Sequence, residues 1–143
     1  MAITFPDQAA EWVEAYRAVL NDSAEYEEAG AEWGEEFDGS FLFEIRPDDA
    51  YQGQPVYMYL DLVDGACREA QIVEVPEEVE YGFALRGDFS AWRDLIEGKL
   101  NPIEAILSGP FDLDGDRVKV MQWSSAGVTM AELAAEVDTE FVG

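Results

Sequence analysis

Three places in the 143-residue sequence carry side chains of a kind that does chemistry: Cys67, the pair Ser124-Ser125, and the acidic run Asp112-Leu113-Asp114-Gly115-Asp116. The chain contains no histidine, so a serine or cysteine nucleophile lacks its commonest base and a metal its commonest ligand. Ser124 and Ser125 precede Ala126-Gly127 outside any G-x-S-x-G elbow and read as loop. Cys67 follows Ala66 in an expected strand with only Arg68 as a basic neighbour, the setting of a buried, inert thiol. The acidic run imitates the opening of a calcium loop, but Arg117 and Trp123 occupy the places that need Gly and Glu. It reads instead as a strand leading into an acidic turn. No glycine-rich phosphate loop of either common spacing occurs. With 32 Asp+Glu in the chain, two acids lying close together identify no acid–base pair. No catalytic residue, metal or cofactor is expected.

What remains is apolar. Trp92, Leu95 and Ile96 recur at helical spacing, as do Ile103, Ile106 and Leu107, and Met130, Leu133, Val137 and Phe141. Such stripes either fill a core or line a ligand cavity, and patterning leaves both open.

The elements that must position these stripes follow from period and punctuation. Trp12, Val13, Tyr16, Val19 and Leu20 share one face of a helix opened by Asp7, and a more acidic helical stretch runs from about Ser23 to Trp33. The segment 1–34 is thus an acidic helical part of a single domain spanning 1–143. Beyond Asp38-Gly39 the period falls to two. Phe41, Phe43 and Ile45 alternate with Leu42 and Glu44, and Val56, Met58, Leu60 and Leu62 with Tyr57, Tyr59 and Asp61. Asp64-Gly65 is a hairpin turn into a strand over 66–75, and Val79, Tyr81, Phe83 and Leu85 form the next. Four strands are expected as a meander. Asp88 then caps a helix ended by Gly98, and Asn101-Pro102 opens a second helix stopped by Gly109-Pro110. Phe111 and Leu113 mark a fifth strand, and residues 117–123 lean to helix. Thr129 with Glu132 reads as a capping box opening a terminal helix through Phe141. The fold class is α/β in the α+β sense: a five-stranded, mostly antiparallel sheet with helices packed on one face.

Composition narrows the function classes. Eight Lys+Arg against 32 Asp+Glu give a net charge of −24, which excludes nucleic-acid binding by phosphate neutralisation and adhesion to anionic lipid surfaces. Hydrophobic residues at 48% and aromatics at 13% are too abundant for a disordered acidic tail. Self-repulsion among the carboxylates is relieved near 1 M salt, where the Debye length is about 3 Å. A halophilic protein is therefore expected. A lone cysteine, no basic leader and no apolar run of membrane-spanning length point to a soluble, cytoplasmic protein without stable membrane insertion.

The stretch GFALRGDFSAWRDLIEGKLNPIEAILSGPFDLDGD, Gly82 to Asp116, resembles the sterol carrier protein type 2 family of lipid-binding domains. The resemblance rests on Trp92, Gly98, Asn101-Pro102, Ala105, Gly109 and Gly115-Asp116, in the family's order. It implies a hydrophobic tunnel between sheet and helices, walled by Trp92, Leu95, Ile96, Ile103, Ile106, Leu107, Met130, Leu133, Val137 and Phe141, that holds a lipid, fatty acyl or isoprenoid chain without catalysis. The alternative is a non-catalytic accessory subunit that docks to a lipid- or acyl-CoA-metabolising enzyme. The acidic helices before Gly34 match no family motif.

Overall fold

A computed structural model describes residues 2–142; Met1 and Gly143, the ends of the expected domain, lie outside the described residues. The chain runs β1 (Ile3–Phe5), α1 (Ala9–Asn21), α2 (Ala24–Ala29), β2 (Phe41–Arg46), β3 (Val56–Val63), β4 (Ala66–Val73), β5 (Phe83–Asp88), α3 (Phe89–Ile96), α4 (Pro102–Ser108), β6 (Asp112–Asp114), α5 (Arg117–Gln122), α6 (Ser124–Ala134) and β7 (Thr139–Phe141). A 3-10 turn at Pro76–Glu78 links β4 to β5.

The expected five-stranded sheet is present, in the order β4-β3-β2-β5-β6. It is not a meander at β5, which crosses over to pair in parallel with β2 while the other pairs are antiparallel. Alternation tells which face a side chain takes but not which strand lies next to it. The crossover is fixed at its end by Ser40, whose hydroxyl accepts from the Gly82 amide at 3.2 Å and whose carbonyl accepts from Phe83 N at 3.0 Å. A Cβ on Gly82 would collide with the Asp38 carbonyl, so this approach requires glycine. The strand therefore starts at Phe83, not Val79. Val79 and Tyr81 instead cover Leu42, Val73 and Ala84 on the outer face.

Helix α1 buries Trp12, Val13, Tyr16 and Leu20 as its spacing requires. It docks on a β-bulge, where the β3–β4 register shifts at Asp61/Leu62. A bulge leaves backbone groups without ladder partners. Asn21 supplies them by accepting from Cys67 N at 2.8 Å and donating to Cys67 O at 2.9 Å, while Arg17 donates to the carbonyls of Cys67 and Arg68. Cys67 is buried, and that burial pushes its thiol up to about 12.

Other sequence expectations need correction at the ends of elements. Gln8, not Asp7, stands before α1, and its side chain turns back to accept from Thr4 N. Asn101 caps α4 as expected, accepting from the amides of Ile103 and Glu104, and Ser23 caps α2 by accepting from Tyr26 N. Asp88 precedes α3, yet the carboxylate that accepts from Ser90 N is Asp48, at 2.8 Å from the β2–β3 loop. The Ser124-Ser125 pair lies in the first turn of α6, not in a loop. Thr129 is buried in mid-helix and donates to Glu25, so no capping box forms there. Helix α6 ends at Ala134, and Phe141 belongs to β7, which pairs in parallel with β1. Val137 and Phe141 stand four apart, a spacing that fits one helix face, although Val137 precedes β7 and only Phe141 lies in it.

Candidate apolar chamber

The sheet's inner face carries Phe41, Phe43, Met58 and Leu85 at paired positions: Phe43 stands opposite Met58 on one side and Leu85 on the other. Helices α1, α3, α4, α5 and α6 cover them. Between the layers lies a cavity of about 100 Å³ lined by the four sheet residues, Trp12, Tyr16, Trp92, Leu95, Ile96, Pro102, Ile103, Ile106, Val120, Gly127, Met130, Ala131 and Ala134. No Asp, Glu, Lys or Arg is among them.

Every polar side-chain atom in this lining is already engaged. Trp92 Nε1 donates to the Glu44 carbonyl at 2.9 Å, Trp12 Nε1 to Thr139 Oγ1 at 2.9 Å, and the Tyr16 hydroxyl to the Met130 carbonyl at 2.8 Å. Burial pushes the Tyr16 phenol well above its ordinary range, with Tyr26 and Cys67 adding to the shift. The phenol thus stays neutral as a donor. Trp92 is further held edge-on to Phe111 at 4.9 Å between ring centroids and tilted against Phe43 at 5.2 Å. It forms a rigid wall.

A second, smaller chamber of about 60 Å³ adjoins the first and shares Phe41, Val120, Gly127 and Met130 with it. Tyr26, Trp33 and Trp123 close its far end. Trp33 Nε1 donates to Gly39 O at 2.9 Å, and its ring meets Phe37, Phe41, Phe83 and Trp123. The N-terminal segment therefore contributes to both chambers, through Trp12 and Tyr16 of α1 and through Tyr26 and Trp33.

The ten residues singled out from the sequence fall in four places. Trp92, Leu95, Ile96, Ile103, Ile106 and Met130 line the first chamber. Leu133 is buried on α6 outside that lining, while Val137 and Phe141 border an open surface groove with Glu97 and Lys99. Leu107 points to solvent at 58% exposure, because the buried face of α4 is centred on Ala105 and Ile106. The sequence reading does not reach the floor residues Phe41, Phe43, Met58 and Leu85, the α1 residues Trp12 and Tyr16, or Pro102, Val120, Gly127, Ala131 and Ala134. The floor and α1 positions had a signal, since each lies on the apolar side of its own period.

Residues 20–126 match the SCP-2 sterol transfer family. The chain is similar to a crystal structure of sterol carrier protein 2, with 33% identity over 90% of this chain and 96% of that one and a TM-score of 0.78. It is similar too to a conserved hypothetical protein from Thermus thermophilus, described as possibly sterol carrier protein, with 32% identity over 91% and 88% of the chains and a TM-score of 0.78. The ubiquinone synthesis protein UbiJ-SCP2, at 15% identity over 94% and 97% and a TM-score of 0.52, shares the fold alone. Among curated proteins there is no match.

Proposed function

The chain belongs to the SCP-2 sterol transfer family, and from that premise we propose that it is a non-catalytic carrier holding the apolar chain of a lipid, fatty acyl or isoprenoid molecule in the chamber between sheet and helices. One observation carries the reading: a cavity lined by apolar side chains whose few polar atoms are all satisfied within the protein. Such a site offers area and shape but no reacting group. Each methylene moved from water into it contributes about 0.8 kcal/mol, so a chain of moderate length binds with no charged contact.

At about 100 Å³ the chamber is smaller than the roughly 300–1,000 Å³ typical of ligand sites. A chain enters by displacing half-buried side chains of the lining, such as Ile103 and Met130. In the alternative reading the space under Trp92 is ordinary core, and the protein is a non-catalytic accessory subunit that docks to a lipid- or acyl-CoA-metabolising enzyme.

The test is mass spectrometry of the organic extract of protein purified in about 2 M KCl, a level that screens the carboxylates, beside a mock purification. A stoichiometric lipid or acyl species is expected. An empty extract together with no binding of fluorescent acyl probes would overturn the carrier reading and leave the accessory one.

A further inference from the structure

Building on the reading of the chamber as a chain-binding site, we infer that Gly127 sets the length of chain the protein accepts, by leaving open the passage from the first chamber into the second. Gly127 lies inside α6, where glycine is the poorest ordinary residue after proline. Every other described glycine has a structural reason. Gly34, Gly65, Gly98 and Gly115 have positive φ, and at the remaining ones a Cβ would meet another atom at 3.0 Å or less. Gly127 has neither: its backbone is helical, and a Cβ there would meet one atom, Ile103 Cδ1, at 3.6 Å, an ordinary contact.

Neither backbone geometry nor crowding therefore calls for glycine at this position. The chambers do. Of the four residues that line both, Phe41, Val120 and Met130 carry large side chains, and Gly127 alone contributes none. A chain that fills the space beside Trp92 can continue past Gly127 toward Tyr26 and Trp33. Two small volumes joined at such a junction suit a slender, flexible acyl or alkyl chain and not a rigid fused-ring molecule.

The experiment measures affinity for saturated fatty acids from octanoate to stearate, and for cholesterol, by displacement of a fluorescent polyene fatty acid from the full chain in about 2 M KCl. Wild type, Gly127→Ala and Gly127→Ile are compared. Wild-type affinity is expected to rise by up to about fourfold per added methylene, the equivalent of 0.8 kcal/mol, through the longer acids. Gly127→Ile is expected to gain affinity with each methylene over the short acids, whatever its absolute affinity, and to stop gaining at an intermediate length. Gly127→Ala shows the same break at smaller size and melts higher than wild type, because alanine is the better helix former and meets no clash, so the test holds even where isoleucine disturbs α6. A wild-type length profile in both variants, or cholesterol bound as tightly as the longest acids, would overturn the role of Gly127 while leaving the chamber reading intact. No displacement from wild type at any length would instead overturn the chamber reading.

Discussion

The two faces of the central sheet are built from the same strands and do opposite things. The inner face presents Phe41, Phe43, Met58 and Leu85 under five helices and borders a cavity with no charge in its lining. On the outer face, Leu42, Val73 and Ala84 form a small apolar strip with Tyr57, Tyr59, Val79 and Tyr81 packed against it. Beside that strip runs an ion ladder. Arg46 bonds Glu44 at 3.0 Å and Asp112 at 3.2 Å, and Arg86 bonds Asp114 at 2.6 Å and approaches Glu44 at 3.8 Å. Period-two alternation alone separates the faces, so each of these strands carries a wall residue and a solvent-side residue at successive positions. An apolar inner face buries area, whereas half-exposed ion pairs each contribute little.

This contrast can be broken most severely on the inner side. Trp92→Ala is expected to cost about 3–5 kcal/mol in urea unfolding, because it removes a packed ring, and to weaken acyl-probe binding. Unchanged affinity in a folded variant would make Trp92 core and not wall. Salt comes next. The net charge of −24 is screened over about 10 Å in 0.1 M salt and about 3 Å at 1 M, so the midpoint of thermal unfolding should rise from 0.1 M to 2 M KCl. A flat or falling response would remove the halophilic reading.

Asp48 offers a sharper probe of what joins the layers. Burial raises its carboxyl, but the amides of Ser90, Ala50 and Tyr51 outweigh that and hold it below the ordinary range. Asp48→Ala should cost about 1 kcal/mol, the usual worth of an N-cap. A group whose carboxyl is lowered on folding stabilises above its unfolded value of about 3.9. The difference between wild type and variant should therefore be constant at neutral pH and shrink as pH falls through the carboxylate range. Smallest is the outer ladder. Glu44→Gln is expected to cost no more than about 1 kcal/mol in low salt and nothing measurable in 2 M KCl, with chain binding unchanged.

Much of this is legible in the sequence because it is written in short-range pattern. The α3–α4 punctuation, Asn101-Pro102 and the alternation in β2 and β3 each depend on neighbours within a few residues, and six of the ten singled-out residues do line the chamber. What pattern misses depends on distant partners. The parallel pairing of β5 with β2 is decided by Ser40 and Gly82, 42 positions apart, and the pairing of β1 with β7 joins the two ends of the described chain. Likewise the cap on α3 comes from Asp48, not from its neighbour Asp88. By sequence Gly127 belongs to a loop, and its significance appears only once both chambers are seen to meet at it.

The most direct test of the chamber as the binding site is an isotope-filtered nuclear Overhauser experiment on methyl-labelled protein with an unlabelled fatty acid such as palmitate. Ligand protons should show cross-peaks to the methyl groups of Leu95, Ile103, Ile106, Val120 and Met130 and none to Leu42, Val73 or Val79. Cross-peaks confined to the latter three would place the chain on the outer face and contradict binding between sheet and helices.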